Sequence, residues 1–177
     1  MILCFHEVGY RKSTYTITPE KFREVIKKYP NAEIHFDDGR KGVFTYAQPI
    51  LQEENRKAVI FLVPNFLKGI IPAHEKYSDF LNYIDINSEL LLYNTFEIGS
   101  HSFSHVNLTT ITEGKLKDEL VLSKRFLEEK FNVRITKLAF PFGAVNEKIN
   151  NLAKKIYEKC YSLDNPIATQ RKLVIDE

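Results

Sequence analysis

Two short segments of the chain carry side chains that could bind a divalent metal. His101 and His105 are four positions apart, and on a helical turn this i, i+4 spacing points both imidazoles the same way. Asp37 and Asp38 are adjacent carboxylates, and Gly39 can supply the turn that brings both to one site. Each segment alone is also typical of an ordinary surface turn or loop. Together they offer two histidines and one aspartate, which leaves a ligand position for water, as catalytic metal sites require.

Such a ligand set needs only one of the two aspartates. The second carboxylate, left off the metal, is then placed to take a proton from the bound water. Neighbouring carboxylates in different surroundings can hold different protonation roles. The residues therefore predict a hydrolytic metal site that carries its own base.

The elements that must position these residues alternate between short apolar runs and longer amphipathic stretches. The runs predict strands at Ile2–His6, Glu33–Asp37, Ala58–Val63, Phe96–Gly99, Lys137–Phe140 and Leu173–Ile175, with a further candidate at Cys160–Leu163. The amphipathic stretches predict helices over Pro19–Tyr29, Gly42–Glu54, Ser88–Asn94, Thr112–Lys130 and Asn146–Lys159. This alternation favours a mostly parallel sheet or barrel. In such folds the carboxyl ends of the strands carry the chemistry, and the candidate residues fall there.

Local signals refine three of these helices. Thr18 is a candidate N-cap before Pro19, which suits a first helical position. Pro49 lies inside the second stretch and predicts a break or kink. The fourth stretch has the clearest period, with one face formed by Leu116, Leu120, Ser123 and Leu127.

Three motifs in order resemble the NodB-homology polysaccharide deacetylases, also called carbohydrate esterase family four. They are Phe36-Asp37-Asp38-Gly39, His101-Ser102-Phe103-Ser104-His105 and Phe140-Pro141-Phe142-Gly143. The resemblance implies an α/β fold, a distorted, partly open (β/α) barrel, built as one domain over residues 1–177. It also implies a metal-dependent hydrolase that removes N-acetyl groups from N-acetylated sugars, with an acetylated glycan as its partner.

By motif position, the resemblance assigns a role to each site residue. The implied metal ligands are Asp38, His101 and His105. Asp37 is the implied base that activates the metal-bound water. Phe142 follows Pro141 in the third motif, so its backbone N–H is expected to help bind the oxyanion. The ligand set suits Zn²⁺ and is also compatible with Co²⁺, Ni²⁺ or Fe²⁺.

Two features of the usual family pattern are absent. The family commonly places an arginine two residues before the proline of the third motif, where this chain has Ala139. The residue that usually orients the base carboxylate is therefore missing or supplied from elsewhere, and Arg40 is a candidate because it is close in sequence. The family also usually has a late histidine that protonates the leaving amine, whereas no histidine follows His105.

The start of the chain offers a replacement for the missing acid. Residues Cys4-Phe5-His6-Glu7-Val8 resemble the branch that deacetylates poly-N-acetylglucosamine, which places a Tyr-His pair near its N-terminus. By that resemblance His6 is the general acid, and the pKa range of histidine suits the task. His35 precedes the aspartates by the strand period of two and is expected one layer deeper, while His74 is expected to be solvated.

Composition excludes several other classes of protein. A formal net charge of +2, with no long basic block, argues against a nucleic-acid partner. No apolar run approaches the length of a membrane span, and the start lacks the pattern of a signal peptide. These features predict a cytoplasmic location, or secretion or envelope association if a leader has been removed. Cys4 and Cys160 are too isolated for a disulfide framework or a zinc knuckle.

Two alternative functions remain open from the sequence. The same constellation could hydrolyse an ester, which would make the chain an O-acetyl carbohydrate esterase. The absent arginine and late histidine favour a non-catalytic, metal-retaining glycan-binding relative. The presence of Asp37, which is not an expected ligand, argues against that second alternative.

Overall fold

The computed structural model describes residues 1–70 and 95–175. Its strands are β1 (Ile2–Phe5), β2 (Glu7–Val8), β3 (Thr16–Ile17), β4 (Glu33–Phe36), β5 (Ala58–Leu62), β6 (Phe96–Ser100), β7 (Lys137–Ala139), β8 (Lys159–Leu163) and β9 (Thr169–Leu173). Its helices are α1 (Pro19–Lys28), α2 (Gln48–Glu53), α3 (Pro64–Leu67), α4 (Glu113–Phe131) and α5 (Glu147–Ala153). A π-helix at Val43–Ala47 leads into α2, and 3-10 turns lie at Leu108–Thr110 and Pro141–Gly143. The predicted helix Ser88–Asn94 and His74 lie outside the described residues.

The barrel is a closed ring of parallel strands in the order β1-β4-β5-β6-β7-β8-β9. It closes where β1 pairs with β9, through Leu3 opposite Lys172 and Cys4 opposite Leu173. Pairing is sparsest between β6 and β7, where one pair joins Ser100 to Leu138. The predicted (β/α) barrel is therefore confirmed, with a closed rather than a partly open ring of strands.

The last strand differs from its prediction. The apolar residues at 173–175 suggested a strand there, but β9 is the more polar segment Thr169–Leu173, which pairs with both β8 and β1. Hydrophobic patterning misplaced it because this strand turns a charged side chain, Arg171, into the barrel, where it is buried. The two-residue strands β2 and β3, which form a small parallel sheet, were too short to give a pattern.

The helices follow their local signals, with one correction at the end of the last helix. Thr18 caps α1, since its side chain accepts a hydrogen bond from the Lys21 N–H at 3.3 Å. All four residues predicted for one face of α4 are buried. The stretch that contains Pro49 is interrupted as predicted, since the π-helix Val43–Ala47 gives way to α2 directly before this proline. The helix predicted to reach Lys159 ends at Ala153, because Lys159 begins β8.

Side chains fill the interior of the barrel up to the carboxyl ends of its strands. Val59, Phe61, Ala139 and Tyr161 form an apolar cluster in the interior. Gly99 is required beside them, since a Cβ there would lie 2.5 Å from the Phe61 ring. The interior is thus packed, and the carboxyl ends of the strands open onto a cavity. Among the described residues, no helix is long and apolar enough to cross a membrane.

Candidate metal centre and base

The predicted site residues converge at the carboxyl ends of four strands. His6 follows β1. Asp37 and Asp38 follow β4, His101 follows β6, and the third motif follows β7. Asp38 has a left-handed backbone with φ of 74°, and Gly39 continues it with φ of 77°. The turn therefore begins at Asp38, one residue before the expected glycine, and it lets two adjacent carboxylates reach one cavity.

Asp38, His101 and His105 offer one ligand atom each, and these atoms lie within 4.8 Å of one another. Asp38 Oδ1 is 3.7 Å from His101 Nε2 and 3.4 Å from His105 Nε2. That oxygen is buried and meets no hydrogen-bond donor among the described residues. Burying a carboxylate oxygen without a hydrogen-bond donor is costly. Its position near two imidazole nitrogens is therefore better explained by a site for a cation.

A backbone contact orients His101 for this task. Its Nδ1 lies 2.8 Å from the carbonyl oxygen of Ala139, which can only accept a hydrogen bond. Nδ1 therefore carries the proton, and Nε2 is the nitrogen that faces Asp38. The donor set of two imidazoles and one carboxylate, with this outer contact, fits a divalent metal such as Zn²⁺.

The two histidines are not on a helical turn, so that part of the sequence prediction was wrong. The segment between them is a loop in which Ser102 and His105 have left-handed φ values of 62° and 57°. The His105 N–H donates to the Ser102 hydroxyl at 3.1 Å. The imidazoles converge because the loop reverses, and their rings lie 4.9 Å apart.

Helix α4 holds this loop in place. The Glu119 carboxylate accepts hydrogen bonds from the Phe103 and Ser104 N–H groups, both at 2.9 Å, and from the Ser104 hydroxyl. Ser123 donates to the Ser102 carbonyl at 3.1 Å. Ser123 is thus a polar contact to the histidine loop on the otherwise apolar face of α4.

Asp37 is held by an arginine that the sequence analysis missed. Arg171 Nη1 is 2.6 Å from Asp37 Oδ1, and Nη2 is 2.8 Å from Oδ2. Cys4 Sγ lies 3.5 Å from Oδ2 as well. Burial alone would raise the pKa of Asp37, but the Arg171 guanidinium outweighs it and holds that pKa well below its usual value. Asp37 is therefore ionised at any physiological pH.

Arg40 does not orient Asp37, which corrects the candidate chosen from sequence proximity. Its Nε lies 3.5 Å from Asp38 Oδ2, whereas the other oxygen, Oδ1, is the one nearest the two histidines. The signal that could have identified Arg171 instead is positional. It is a basic residue in a short segment near the end of the chain, where a barrel needs a closing strand.

His6 and Phe142 border the same cavity as the metal ligands and Asp37, with a volume of about 380 Å³. It is lined by His6, Tyr15, Asp37, Asp38, Arg40, His101, His105, Phe142, Leu163 and Leu173. The His6 ring packs 4.9 Å from that of Tyr15, and burial lowers the pKa of His6 against the opposing effect of the two aspartates.

The third motif forms the wall beside His105. The Phe142 ring lies 4.7 Å from the His105 ring, and Phe142 has a left-handed φ of 59°. Pro141 is buried and does not line the cavity. His35 is fully buried one layer below the site, where its Nε2 bonds Glu33 Oε1 at 2.9 Å, as the strand period predicted.

Comparison with known sequences identifies a family for this arrangement. The family model for polysaccharide deacetylase matches residues 25–159. YxkH of Bacillus subtilis (strain 168), which carries a provisional polysaccharide deacetylase name, is 26% identical over 155 residues. That match covers 85% of this chain and 50% of YxkH, so the chain spans about half the length of that relative.

Solved structures share the barrel. The Streptococcus pyogenes deacetylase PplD, in complex with acetate, superposes with a TM-score of 0.80 and 15% identity, covering 98% of this chain and 91% of PplD. IcaB from Ammonifex degensii gives a TM-score of 0.80 and 15% identity, covering 98% of this chain and 90% of IcaB. At these identities the likeness establishes the fold.

Proposed function

Because this chain belongs to the polysaccharide deacetylase family, we propose that it removes N-acetyl groups from an N-acetylglucosamine-containing glycan in a metal-dependent reaction. The arrangement of its two aspartates carries this proposal. Asp38 groups with His101 and His105, whereas Asp37 faces the same cavity without joining the ligand set. A site that only bound a metal would have no role for this second buried carboxylate.

Asp38, His101 and His105 would hold the metal. When bound, a divalent metal supplies a Lewis acid that polarises the acetyl carbonyl and activates the attacking water. Arg40, with its Nε 3.5 Å from Asp38 Oδ2, would add a positive charge beside the ligand carboxylate, whose Oδ1 is nearest the two histidines. Zn²⁺ suits this donor set, and Co²⁺, Ni²⁺ or Fe²⁺ are compatible with it.

Asp37 would act as the general base. It accepts a proton from the water as that water attacks the acetyl carbon. Arg171 keeps its carboxylate ionised, which is the form a base needs before the reaction begins. This proposal is supported by the position of Asp37 beside the ligand set, with its Oδ2 at 3.8 Å from His101 Nε2.

His6 and Phe142 would serve the later part of the reaction. His6 lines the cavity, and its Nδ1 is buried without a hydrogen-bond partner among the described residues. It would give its proton to the amine as the carbon–nitrogen bond breaks, which releases acetate and a free amino sugar. The Phe142 backbone N–H would help stabilise the oxyanion, and its left-handed conformation is typical of residues held under strain at functional sites.

One observation favours ester hydrolysis as a second candidate function. Burial lowers the pKa of His6, so a smaller share of the ring carries a proton at neutral pH than in an exposed histidine. An alkoxide leaving group depends less on a general acid than an amine does. An O-acetyl sugar would therefore tolerate this histidine better than an N-acetyl sugar.

Acetate release separates these functions. The protein is stripped of metal, reloaded with Zn²⁺, and assayed on N-acetylglucosamine oligomers and on acetylated xylan, beside His6→Ala. We expect metal-dependent release from the oligomers, and a loss of about 10²–10⁴-fold in kcat for His6→Ala. Release from xylan alone would favour the esterase. No release from either substrate by the metal-loaded protein would contradict the proposal and favour a binding role.

A further inference from the structure

We propose that Arg171, on the strand that closes the barrel, is the positioning residue for the base Asp37. This inference rests on the proposed function, because it assigns to Arg171 the task of aiming a catalytic carboxylate. It also goes beyond the family match, since Arg171 lies outside the matched residues 25–159. Barrel closure by β9 would then be part of assembling the active site.

The contact between the two side chains fixes direction as well as charge. Arg171 donates to both Asp37 oxygens, at 2.6 and 2.8 Å. Two parallel hydrogen bonds from a planar guanidinium prevent the carboxylate from rotating, which a single bond from a point charge would allow. Both side chains are at least 98% buried, so water does not compete for these bonds.

Arg171 is itself held by an aromatic ring in the barrel interior and by the strand pairing of β9. Its guanidinium carbon lies 5.3 Å from the centre of the Phe61 ring, within the range of a cation–π contact. Its backbone is in register with Leu163 of β8, while its neighbour Lys172 pairs with Leu3 of β1. The guanidinium therefore sits between an aromatic ring and the carboxylate, in a place set by strand pairing.

The arginine reaches the base across one intervening strand. Asp37 follows β4, which pairs with β1, and β1 pairs with β9 on its other side. Cys4 on β1 also approaches Asp37, with Sγ at 3.5 Å from Oδ2. Asp37 is thus held from both strands that meet where the barrel closes.

This placement accounts for the missing arginine of the third motif. Ala139 occupies that position, and its side chain is buried in the barrel interior beside Phe61 and Tyr161. Arg171 enters the same interior from β9 and contacts the Phe61 ring. In this chain the guanidinium that contacts Asp37 therefore comes from β9, and not from the third motif.

Kinetics of three variants test the inference. Arg171→Lys keeps the charge but loses the planar pair of donors, and Arg171→Met loses both. Lys172→Met removes the same charge from an exposed neighbour and serves as the control. With metal content checked, we expect kcat to fall about 10-fold for Arg171→Lys and about 100-fold for Arg171→Met, with KM within about threefold, since small misplacements of a reacting group cost rates of this order. The control should keep both parameters.

A readout without substrate separates positioning from the proposed function. Asp37→Asn and Arg171→Met are combined, and thermal unfolding of the metal-free proteins is compared. If the two side chains are partners, Asp37→Asn raises the midpoint of Arg171→Met, because it removes a buried charge left unpaired.

The outcomes are distinct. No recovery in the double variant, or an Arg171→Lys variant with wild-type kcat, would overturn the positioning role alone. A metal-loaded wild type that releases no acetate from any acetylated sugar would overturn the proposed function and the positioning role together.

Discussion

Glu119 should control how tightly the histidine loop binds metal, although it lies outside the ligand set. Its carboxylate accepts two backbone N–H groups at 2.9 Å and a serine hydroxyl, all between His101 and His105. Glu119→Ala removes these acceptors and leaves partly buried donors unpaired. At about 1.5 kcal/mol for each charge-assisted backbone bond, two bonds amount to roughly 3 kcal/mol. For a chain of this size, that lowers the unfolding midpoint by about 6–12 °C.

Part of that free energy should appear in metal binding. The loop has left-handed residues at 102 and 105, which need outside support to keep their conformation. Loss of an outer contact of this kind typically weakens metal affinity by about 10–100-fold. We expect that range for Glu119→Ala in a competition assay with a chelating dye, and a smaller loss for Glu119→Gln, which keeps an acceptor.

The matched control is Asp118→Asn, an exposed acid one residue earlier on α4. It changes charge by the same amount without touching the loop, so its affinity and midpoint should match wild type. If Glu119→Ala binds Zn²⁺ with wild-type affinity, the loop is ordered without this carboxylate and the reasoning fails. If both acids weaken binding equally, the effect is long-range charge rather than loop support.

Three further predictions follow from buried groups. Burial lowers the pKa of His35 to about 4 in the folded protein, against 6.5 in the unfolded chain, so the unfolded chain takes up this proton first as pH falls. The wild-type free energy of unfolding should therefore decrease by about 3 kcal/mol between these two pH values. His35→Gln should show a smaller decrease in denaturant titrations, and equal decreases would contradict the assignment. Gly42→Ala should destabilise the fold by about 1–3 kcal/mol, because a Cβ there would lie 1.9 Å from Glu7 Oε1. Gly114→Ala should stabilise the fold instead, because a Cβ there would have nothing within 4 Å. Changes of the same sign for both variants would refute the packing argument. Zn²⁺ at about 100 times its Kd should add about 2.7 kcal/mol to the free energy of unfolding, and His105→Ala should abolish most of that gain.

Features that depend on a local pattern of residue types could be predicted from the sequence. The four-residue face of α4 followed from its period, and all its members are buried. The two aspartates and two histidines were located because strand ends in a parallel barrel meet at one edge. The structure brings Asp38, His101 and His105 together as the motifs implied.

Other features depend on contacts between distant segments and could not be predicted from the sequence. Asp37 and its partner Arg171 are 134 residues apart, and no local pattern joins them. Sequence proximity selected Arg40 instead, which contacts the neighbouring aspartate. The helical interpretation of the histidine pair failed for a similar reason, because Glu119 and Ser123, on another element, hold the loop in a left-handed course.

The division of labour between the two aspartates is tested most directly by Asp37→Asn. Metal content and acetate release from N-acetylglucosamine oligomers are measured on the same purified sample, beside wild type. We predict one equivalent of bound metal for both proteins and a loss of at least about 100-fold in acetate release for the variant, because the ligands are intact and the base is gone. Wild-type release by Asp37→Asn would contradict the account, and so would loss of the metal from this variant.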